Sequence, residues 1–397
     1  MPTKPSRARG WVREGKAKGF FKDLSQYCVQ LLEEPTGTDT QSIAVGVDPG
    51  KKYSGIGVQS ANYTLWKGHL ILPFETVKKR MEQPRMMRRG RRGRRINRKL
   101  PYKQRAHRQK RFNHRRGHKL PASIRANRQL EYRVVKELTK VYPICAIYYE
   151  YVEAKGDKAF TPVMVGEKFM LQWLEKLAPT HTKLGWETAS LRRDLKLEKS
   201  RNQGESTPAS HAVDGIALAS HSFRGMEKIN GKNYRGQVWQ GEVNLTESPF
   251  TVLRRPPVSR RQLHLMVEPL GGVRRKYGGT VTRHGFCKGD YVQASRKDQA
   301  FFGWVSGNTK SQVSVSNANW KRLGQFSTNK IRLLKHSTNL VTTAKAVISL
   351  FSPVLKNGVS ELRDFLMRMN RTVWLTLCSW EKKRSLQLVI PSKLDVK

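Results

Sequence analysis

Acidic residues are scarce in this chain, which contains 30 Asp and Glu against 76 Lys and Arg and carries a formal net charge of +46 over 397 residues. A surface this basic favours a polyanionic partner, and nucleic acid is the first candidate. Cysteine is scarce as well. The four cysteines lie far apart and form no CxxC pair, which argues against both a zinc ribbon and a disulfide framework.

Long hydrophobic runs are also missing. The N-terminal stretch MPTKPSRARGWVREGKAKG has no apolar segment of the kind that a signal peptide needs. The most apolar late stretch, AVISLF at residues 346–351, is far too short to span a bilayer. No amphipathic anchor or lipidation motif accompanies the charge, so a membrane surface is a weaker alternative to nucleic acid. We therefore expect a soluble, cytoplasmic protein without a membrane partner.

The pattern of apolar residues predicts an α/β core followed by a β-rich region. Residues 42–75 are typical of three strands in a hairpin or meander, SIAVGVDPG, YSGIGVQS and YTLWKGHLIL. Apolar residues at helical spacing predict helices at 120–142, 162–177 and 208–221, and a β-branched, aromatic run predicts a strand at 144–154. From about residue 250, short apolar runs between Gly, Asn and Ser indicate a small all-β barrel or sandwich.

A strongly basic stretch interrupts the core at residues 78–119, where 20 Lys and Arg face one acid, Glu82. If this stretch is helical, one stripe of cations lies along it, with Arg89 and Arg94 pointing elsewhere: Arg88, Arg91, Arg92, Arg95, Arg98 and Lys99. We expect Pro101 to end or kink the helix, and Tyr102 and Phe112 to stack on unpaired bases. Further candidate phosphate contacts follow at Arg105, Arg108, Arg111 and Arg115. The alternative is a disordered RNA-tethering linker, which Gly90 and Gly93 favour.

Three distant segments each place a carboxylate where a buried element ends. Asp48 ends the apolar run IAVGV, Glu150 ends ICAIYY, and Asp214 lies in SHAVDGIALA one helical turn after His211. Glu153 competes with Glu150, but in a strand it would face the opposite side. Carboxylates gathered in a basic groove suit divalent metal ions, and two-metal phosphodiester hydrolysis needs three or four such ligands.

Each of these residues also has an ordinary structural interpretation. The sequence VDPG is a common hairpin turn. Glu150 could end its strand in a salt bridge to one of the many arginines, and His211 and Asp214 could stabilise one helix locally. The three acids together, in the order strand, strand, helix, favour the catalytic interpretation.

These motifs together resemble a known family. IAVGVDPGKKYSGIGV, the acid of AIYYEYVEA, and SHAVDGIALA are similar to the three split RuvC motifs of the IscB/IsrB proteins, the transposon-encoded RNA-guided nucleases of OMEGA systems, which are related to the CRISPR type II effectors. The opening MPTKPSRARGWVREGKAKGF resembles their PLMP domain, and the basic stretch occupies the place of their bridge helix. FTPVMVGEKFMLQWLEKL, RRPPVSRRQLHLM and GGVRRKYGGTVTRHGFCKGDYV resemble IsrB proteins in particular.

The resemblance departs from IscB between the second and third motifs. IscB proteins insert an HNH nuclease there, whereas residues 151–210 contain a single histidine, His181, and no His-Asn-His arrangement. The IsrB branch, with RuvC as its only nuclease, is therefore the better match. The chain also lacks the late Cys-rich zinc element that the related TnpB proteins usually carry.

The resemblance implies a fold, a site and a cofactor. The fold would be α/β plus β: a split RNase H-like core with an inserted arginine-rich bridge helix, a small N-terminal domain and a C-terminal barrel-like module. Asp48, Glu150, His211 and Asp214 would be the catalytic and metal-binding residues, holding Mg²⁺ (two ions, with Mn²⁺ able to substitute). The implied domains are 1–40 (PLMP-like), 41–77 (RuvC-I), 78–119 (bridge helix), 120–178 (RuvC-II), 179–249 (RuvC-III), 250–340 (β-rich, reading a flanking motif) and 341–397 (an extension of unknown role).

The function implied is that of an RNA-guided DNA nickase. A monomeric protein would bind a structured guide RNA, pair it with target double-stranded DNA beside a short flanking motif, and nick the displaced strand. Candidate flanking-motif contacts are Arg254, Arg255, Arg260, Arg261, Arg274, Arg275 and Lys276. Two alternatives stay open: a stand-alone structure-specific nuclease such as a junction resolvase, and a non-catalytic basic RNA-binding protein.

Overall fold

The computed structural model of the protein describes residues 3, 5–21, 24, 27–34, 37, 39–94, 97–104, 120–153, 161–202, 204–228, 237–256, 281–297 and 299–345. The chain opens with a helix and a hairpin, α1 (Pro5–Arg13), β1 (Ala17–Phe21) and β2 (Tyr27–Leu31), in which β1 and β2 pair antiparallel.

A large mixed sheet forms the core. Its strands in chain order are β3 (Ile43–Asp48), β4 (Tyr53–Ser60), β5 (Thr64–Ile71), β6 (Ile144–Tyr151), β7 (Thr180–Leu184), β10 (Phe250–Arg254) and β16 (Val341–Lys345). In space the order is β16-β10-β5-β4-β3-β6-β7. Strands β4 and β16 run antiparallel to their neighbours, and the other pairs are parallel. The predicted three-strand meander and the strand at 144–154 are confirmed.

Helices cover both faces of this sheet. They are α2 (Phe74–Arg94), α3 (Ala122–Thr139), α4 (Pro162–Leu174), α5 (Gly185–Asp194) and α6 (His211–Ser220). Alternate side chains of β3 and β6, such as Val45, Val47 and Tyr149, pack with the apolar stripe of α3 and with α4 in the main core. The opposite face of β3 and β4 carries α6. The helices predicted from apolar spacing are confirmed, each with slightly different ends.

Glycines let α6 lie directly on the sheet. A Cβ added to Gly46 of β3 would lie 2.0 Å from the carbonyl oxygen of Gly215, and one added to Gly57 of β4 would lie 2.5 Å from the Gly215 carbonyl carbon. At Gly55 the added Cβ would lie 1.8 Å from the carbonyl oxygen of His211. Because no larger residue fits, these positions fix how deeply the first turn of α6 sits on the sheet.

The β-rich region forms a separate antiparallel sheet. Its strands are β11 (Tyr291–Arg296), β12 (Gln299–Asn308), β13 (Gln312–Ser316), β14 (Arg322–Ser327) and β15 (Ile331–Lys335), in the order β14-β13-β12-β11-β15. Their inward residues, including Val292, Val305, Val315 and Phe326, form a second small core. The predicted set of short strands is confirmed, while their closure into a barrel stays a prediction. A further two-stranded sheet pairs β8 (Gly225–Lys228) with β9 (Gln237–Gln240).

The large sheet extends across two of the predicted domain boundaries. Strand β10 falls inside the range 250–340 and pairs parallel with β5, while β16 falls inside 341–397 and pairs antiparallel with β10. The short apolar run of β10, which the sequence placed in the β-rich region, fits a strand of the core sheet equally well. The chain thus returns to the core sheet after the β-rich module.

The basic stretch is helical only in its first part. Helix α2 begins at Phe74 and ends at Arg94, and its backbone is helical at both Gly90 and Gly93. The predicted stripe beyond Arg94 is wrong, because Arg98 and Lys99 lie outside the helix. The Asn97 side chain accepts a hydrogen bond from the Lys99 backbone N–H at 3.0 Å, a turn that competes with helix.

Pro101 is therefore not the residue that ends α2. It precedes a short 3₁₀ turn at Tyr102–Gln104. The predicted contacts at Arg95, Arg105, Arg108, Arg111, Phe112 and Arg115 lie outside the described residues. Within the described part of the chain, no helix combines the length and the apolarity needed to cross a membrane.

Candidate active site

Two of the predicted acids meet at one edge of the large sheet. Asp48 is the last residue of β3, and Glu150 is the last but one of β6. The two strands are parallel neighbours in which Val47 pairs with Tyr149, so the next position in register places Asp48 beside Glu150. Both side chains lie on the face that carries α6, because Val47 and Tyr149 point into the main core instead.

Helix α6 brings the other two predicted residues to this edge. His211 is its first residue, and its Nδ1 lies 2.9 Å from Asp48 Oδ2. Asp214 follows one turn later and is only 2% exposed. The N-terminal end of a helix carries a partial positive charge, which favours carboxylates there. The structure thus brings together Asp48, Glu150, His211 and Asp214.

Two cations that the sequence did not single out hold Asp214. Arg192 of α5 contacts its Oδ1, and Lys199, in the loop before α6, contacts its Oδ2. Both cations are partly buried, so the ion pairs are less screened by solvent than surface pairs are. No periodic pattern links these residues to Asp214, which is why sequence reasoning missed them.

Glu150 titrates unusually. Burial, together with the nearby charges of Asp48 and Asp214, raises its pKa to about 7, while a hydrogen bond with Thr188 and the charge of Lys199 oppose the shift. Because the charges of Asp48 and Asp214 raise the pKa of Glu150, both carboxylates lie close enough to repel the ionised Glu150 side chain. Glu153, the competing candidate, lies beyond β6 and is exposed, and its charge acts on Glu167 instead. The geometry therefore favours Glu150 over Glu153.

A buried polar network on the opposite face holds the turn after Asp48. Arg128 of α3 donates to the Gly50 carbonyl oxygen at 3.0 Å and to the Tyr149 hydroxyl at 2.7 Å. The same guanidinium forms an ion pair with Glu131 at 3.1 Å. Ser54 links Glu131 to the Gly50 backbone N–H. Because Arg128 and Glu131 are almost fully buried, the network ties α3 to the strand ends that carry Asp48 and Glu150.

A second histidine lies next to His211. His69 of β5 is fully buried, its ring centroid lies 5.9 Å from that of His211, and its Nδ1 lies 3.0 Å from Ser210 Oγ. Tyr53 packs beside both rings, at 5.2 Å from His69 and 6.1 Å from His211. In the sequence, His69 is a polar residue in a mostly apolar strand. Only the alternation of inward and outward side chains along that strand could have indicated that His69 is buried.

The four site residues fit a hard divalent cation by their chemistry, because carboxylate oxygens are the ligands that Mg²⁺ prefers. Among the described residues, no three His, Cys, Asp or Glu side chains converge as a formed metal site. Asp214 is instead ion-paired with Arg192 and Lys199, and Asp48 is hydrogen-bonded to His211.

The predicted nucleic-acid contacts are only partly within the described residues. Arg88, Arg89, Arg91, Arg92 and Arg94 belong to α2, and Arg98, Lys99 and Arg255 are exposed. Arg254 ends β10, where its Nη1 donates to the Ala318 carbonyl oxygen at 2.8 Å, and burial lowers its pKa. This guanidinium joins the core to the β-rich sheet. The remaining candidates lie outside the described residues: Arg260, Arg261, Arg274, Arg275 and Lys276.

Comparisons with known proteins give one family and one solved structure. Residues 1–169 match the family model described as RRXRR protein. No curated protein matches the chain. The solved structure of T. thermophilus RuvC in complex with Holliday junction substrate is similar at 11% identity and a TM-score of 0.25, over 46% of this chain and 92% of that chain. This structural similarity is too weak to assign a fold. The chain resembles the RRXRR family over the segment that contains Asp48, α2 and Glu150.

Proposed function

We propose that this protein is an RNA-guided DNA endonuclease with a single RuvC-type site. The observation that carries the proposal is the meeting of Asp48, Glu150, His211 and Asp214, from three distant segments, at one sheet edge of a protein with a net charge of +46. Nearly all acids in such a protein lie among cations, so a cluster of two buried carboxylates and one half-buried carboxylate requires a reason.

The strand order supports an RNase H-like core. The five central strands follow the order β5-β4-β3-β6-β7, in which only β4 runs antiparallel. This is the arrangement of RNase H-like nucleases, and their acids lie at the ends of the first and fourth strands, as Asp48 and Glu150 do here. The family match over residues 1–169 agrees with this assignment.

The chemistry follows from the residues at the site. Asp48, Glu150, Asp214 and His211 would hold Mg²⁺, for which Mn²⁺ could substitute, and the metal would activate water and stabilise charge on the leaving oxygen. Asp48 Oδ2 fixes the Nδ1 side of the His211 ring, so Nε2 is the ring atom left to bind the metal. Arg192 and Lys199 balance the charge of the Asp214 carboxylate in the absence of a metal.

The cations around the site fit a guide RNA and its heteroduplex. Helix α2 carries Arg88, Arg89, Arg91, Arg92 and Arg94 within two turns, so phosphates on several sides would be needed to neutralise it. A helix with cations on all sides would be able to lie between a folded RNA and a heteroduplex and to contact the phosphates of both. The β-rich sheet would read a flanking motif, with Arg255 as its described candidate. The displaced strand would enter the site at the sheet edge.

The first test of the proposal is the identity of the bound RNA. We expect sequencing of the RNA that co-purifies with the protein to give one defined, structured species. When its guide segment is reprogrammed, cleavage should follow the new sequence and should require both RNA and Mg²⁺. Cleavage without RNA would favour the stand-alone nuclease, and heterogeneous RNA without cleavage would favour the non-catalytic RNA-binding protein.

The second test separates chemistry from binding. Asp48→Ala should abolish cleavage while RNA and target binding stay nearly intact, because Asp48 would bind the metal and is not a phosphate contact. Asp214→Asn should behave alike. Loss of binding together with cleavage would mean that these acids hold the fold and not the metal.

A further inference from the structure

A cavity of about 460 Å³ lies on the same face of the sheet as the acids, between β6, β7 and the C-terminal end of α6. It is lined by Tyr148, His181, Lys183, His221, Arg224 and Met226, among others. Tyr148 precedes Glu150 by two residues and shares its face of β6, so the cavity begins about 7 Å along the strand from the acids. None of the four site residues lines it.

Aromatic rings surround this cavity. The ring centroid of Tyr148 lies 5.1 Å from that of His181 and 6.1 Å from that of His221, with interplanar angles of 30° and 23°. The ring centroid of Trp239 lies 5.3 Å from that of His221, with an interplanar angle of 59°. Flat aromatic faces of the kind found in this cluster are the usual support for nucleic-acid bases.

Two buried polar atoms in the wall have no hydrogen-bond partner among the described residues: His221 Nε2 and Arg224 Nε. His221 is only 8% exposed. Burial, with a smaller effect of the Lys183 charge, lowers its pKa to about 3, so its ring is neutral at neutral pH. A neutral imidazole presents one donor and one acceptor, and the guanidinium Nε presents a donor. A ligand with both donors and acceptors on a planar edge would satisfy them.

The cations at the rim already have carboxylate partners. Lys183 Nζ lies 3.1 Å from Glu187 Oε1, and Arg224 Nη1 lies 2.9 Å from Asp194 Oδ2. A phosphate alone would therefore meet little unbalanced positive charge here. The cavity volume lies within the usual range for small-molecule sites and is large enough for a nucleotide.

From these observations we infer that this cavity binds an unpaired nucleobase, stacked against Tyr148 and His221, with its polar edge towards Arg224. The base comes from a DNA strand or from a bound RNA, since both offer the same ring chemistry. Held there, a base would fix its strand within a few nucleotides of the acids. The binding itself does not depend on the proposed cleavage.

The test compares the binding of a trinucleotide that has a central base with the binding of one that lacks this base. The probe is the trinucleotide d(T-2-aminopurine-T), or its RNA counterpart, and it is titrated into full-length protein stripped of nucleic acid, at 0.3 M salt to weaken phosphate contacts. We expect quenching of 2-aminopurine fluorescence on binding. The same trinucleotide with an abasic centre should displace the probe about 5- to 100-fold less well than the intact one, the range expected for one stacked base. The tighter of the DNA and RNA arms identifies the source of the base.

Variants locate the effect. Tyr148→Leu and His221→Leu should each weaken probe binding at least about 5-fold, whereas Tyr63→Leu, at an exposed tyrosine outside the cavity, should not. Asp48→Ala should bind the probe as the wild type does, which separates this inference from the proposed nuclease. Equal displacement by intact and abasic trinucleotides, or equal losses in Tyr148→Leu and Tyr63→Leu, would overturn it.

Discussion

At the scale of single residues, the acids are held ready by partners from other elements. Asp48 is fixed from one side by His211 and from behind by the turn that Arg128 holds, while Asp214 is held by Arg192 and Lys199. Three carboxylates this close together would repel one another without such partners, and these contacts stabilise the arrangement. The partner residues therefore hold the acid side chains in fixed positions, as the proposed catalysis would require.

The choice between Glu150 and Glu153 gives a residue-scale prediction. Glu150→Gln keeps the shape of the side chain but removes the charge beside Asp48 and Asp214, so we expect cleavage to fall below detection while target binding is unchanged. Glu153→Gln, three residues later and exposed, is the matched control and should cut like the wild type. The opposite pattern in a plasmid-nicking assay would show that the second acid of the site is misassigned.

The raised pKa of Glu150 gives a second residue-scale prediction. Because its pKa is about 7 in the folded protein against an ordinary value of 4.5, the folded state binds this proton more tightly than the unfolded state does. The resulting stabilisation is full below pH 4.5 and is lost as the pH rises through 7. At about 1.4 kcal/mol per pH unit, the loss reaches about 3 kcal/mol at most.

Glu150→Gln lacks this titration and serves as the reference. In urea unfolding with EDTA present, we expect the free energy of unfolding of the wild type to fall relative to that of Glu150→Gln between pH 4.5 and 7.5. Glu131, whose pKa burial also raises to about 7, is present in both proteins and cancels. A difference between the two proteins that stays constant with pH would rule out a buried, raised Glu150.

At the scale of elements, the position of α6 depends on glycines. Gly57→Ala would bring its Cβ to 2.5 Å from backbone atoms of Gly215 and Ile216, which cannot move without moving the helix. We expect a loss of about 3 kcal/mol in the free energy of unfolding, together with a loss of cleavage, because α6 carries His211 and Asp214.

Gly90→Ala is the matched control, since no described atom lies within 4 Å of an added Cβ there. It should gain up to about 1 kcal/mol by favouring helix. Equal effects of the two substitutions in urea unfolding would contradict this role of Gly57.

Most of the core elements could be predicted from the sequence, because their apolar residues recur with periods that differ between strand and helix. Asp48 and Glu150 could be predicted for the same reason, since each ends an apolar run, and Asp214 because it is a lone acid within an apolar helix. Other features depend on contacts between distant segments, which no local pattern reports. The charges of Arg128 and Glu131 look like a solvated helix face yet are buried, and β10 and β16 join the core sheet from either side of the β-rich module in the chain.

At the scale of the whole molecule, cations of α2 and of the β-rich region lie near each other. Arg80 of α2 lies near Lys288, at the start of the β-rich sheet, and its charge adds to the effect of burial in lowering the pKa of Lys288. Neighbouring cations from different elements are typical of a surface along which a phosphate backbone binds. Such a path would run along α2 towards the β-rich sheet.

The salt dependence of binding tests this path. Replacing Arg88, Arg91 and Arg92 by Ala should weaken duplex DNA binding and flatten the plot of log affinity against log salt by about 0.9 for each lost phosphate contact. The control replaces three exposed lysines of other helices and their ends: Lys136, Lys168 and Lys176. We expect little change in slope there. A slope that is unchanged in the α2 variant would show that this helix does not contact phosphates.

The central claim, one guided site that cuts one strand, is tested most directly by strand-specific end labelling of a guided target. One set of site residues, Asp48, Glu150, His211 and Asp214, would allow one cut per binding event. In the proposed complex the guide-paired strand would be held in its heteroduplex, and the displaced strand would be free to reach the sheet edge. With the guide RNA and Mg²⁺, a supercoiled plasmid carrying the target should become an open circle nicked in the displaced strand. Mainly linear product, or a nick in the guide-paired strand, would contradict the account.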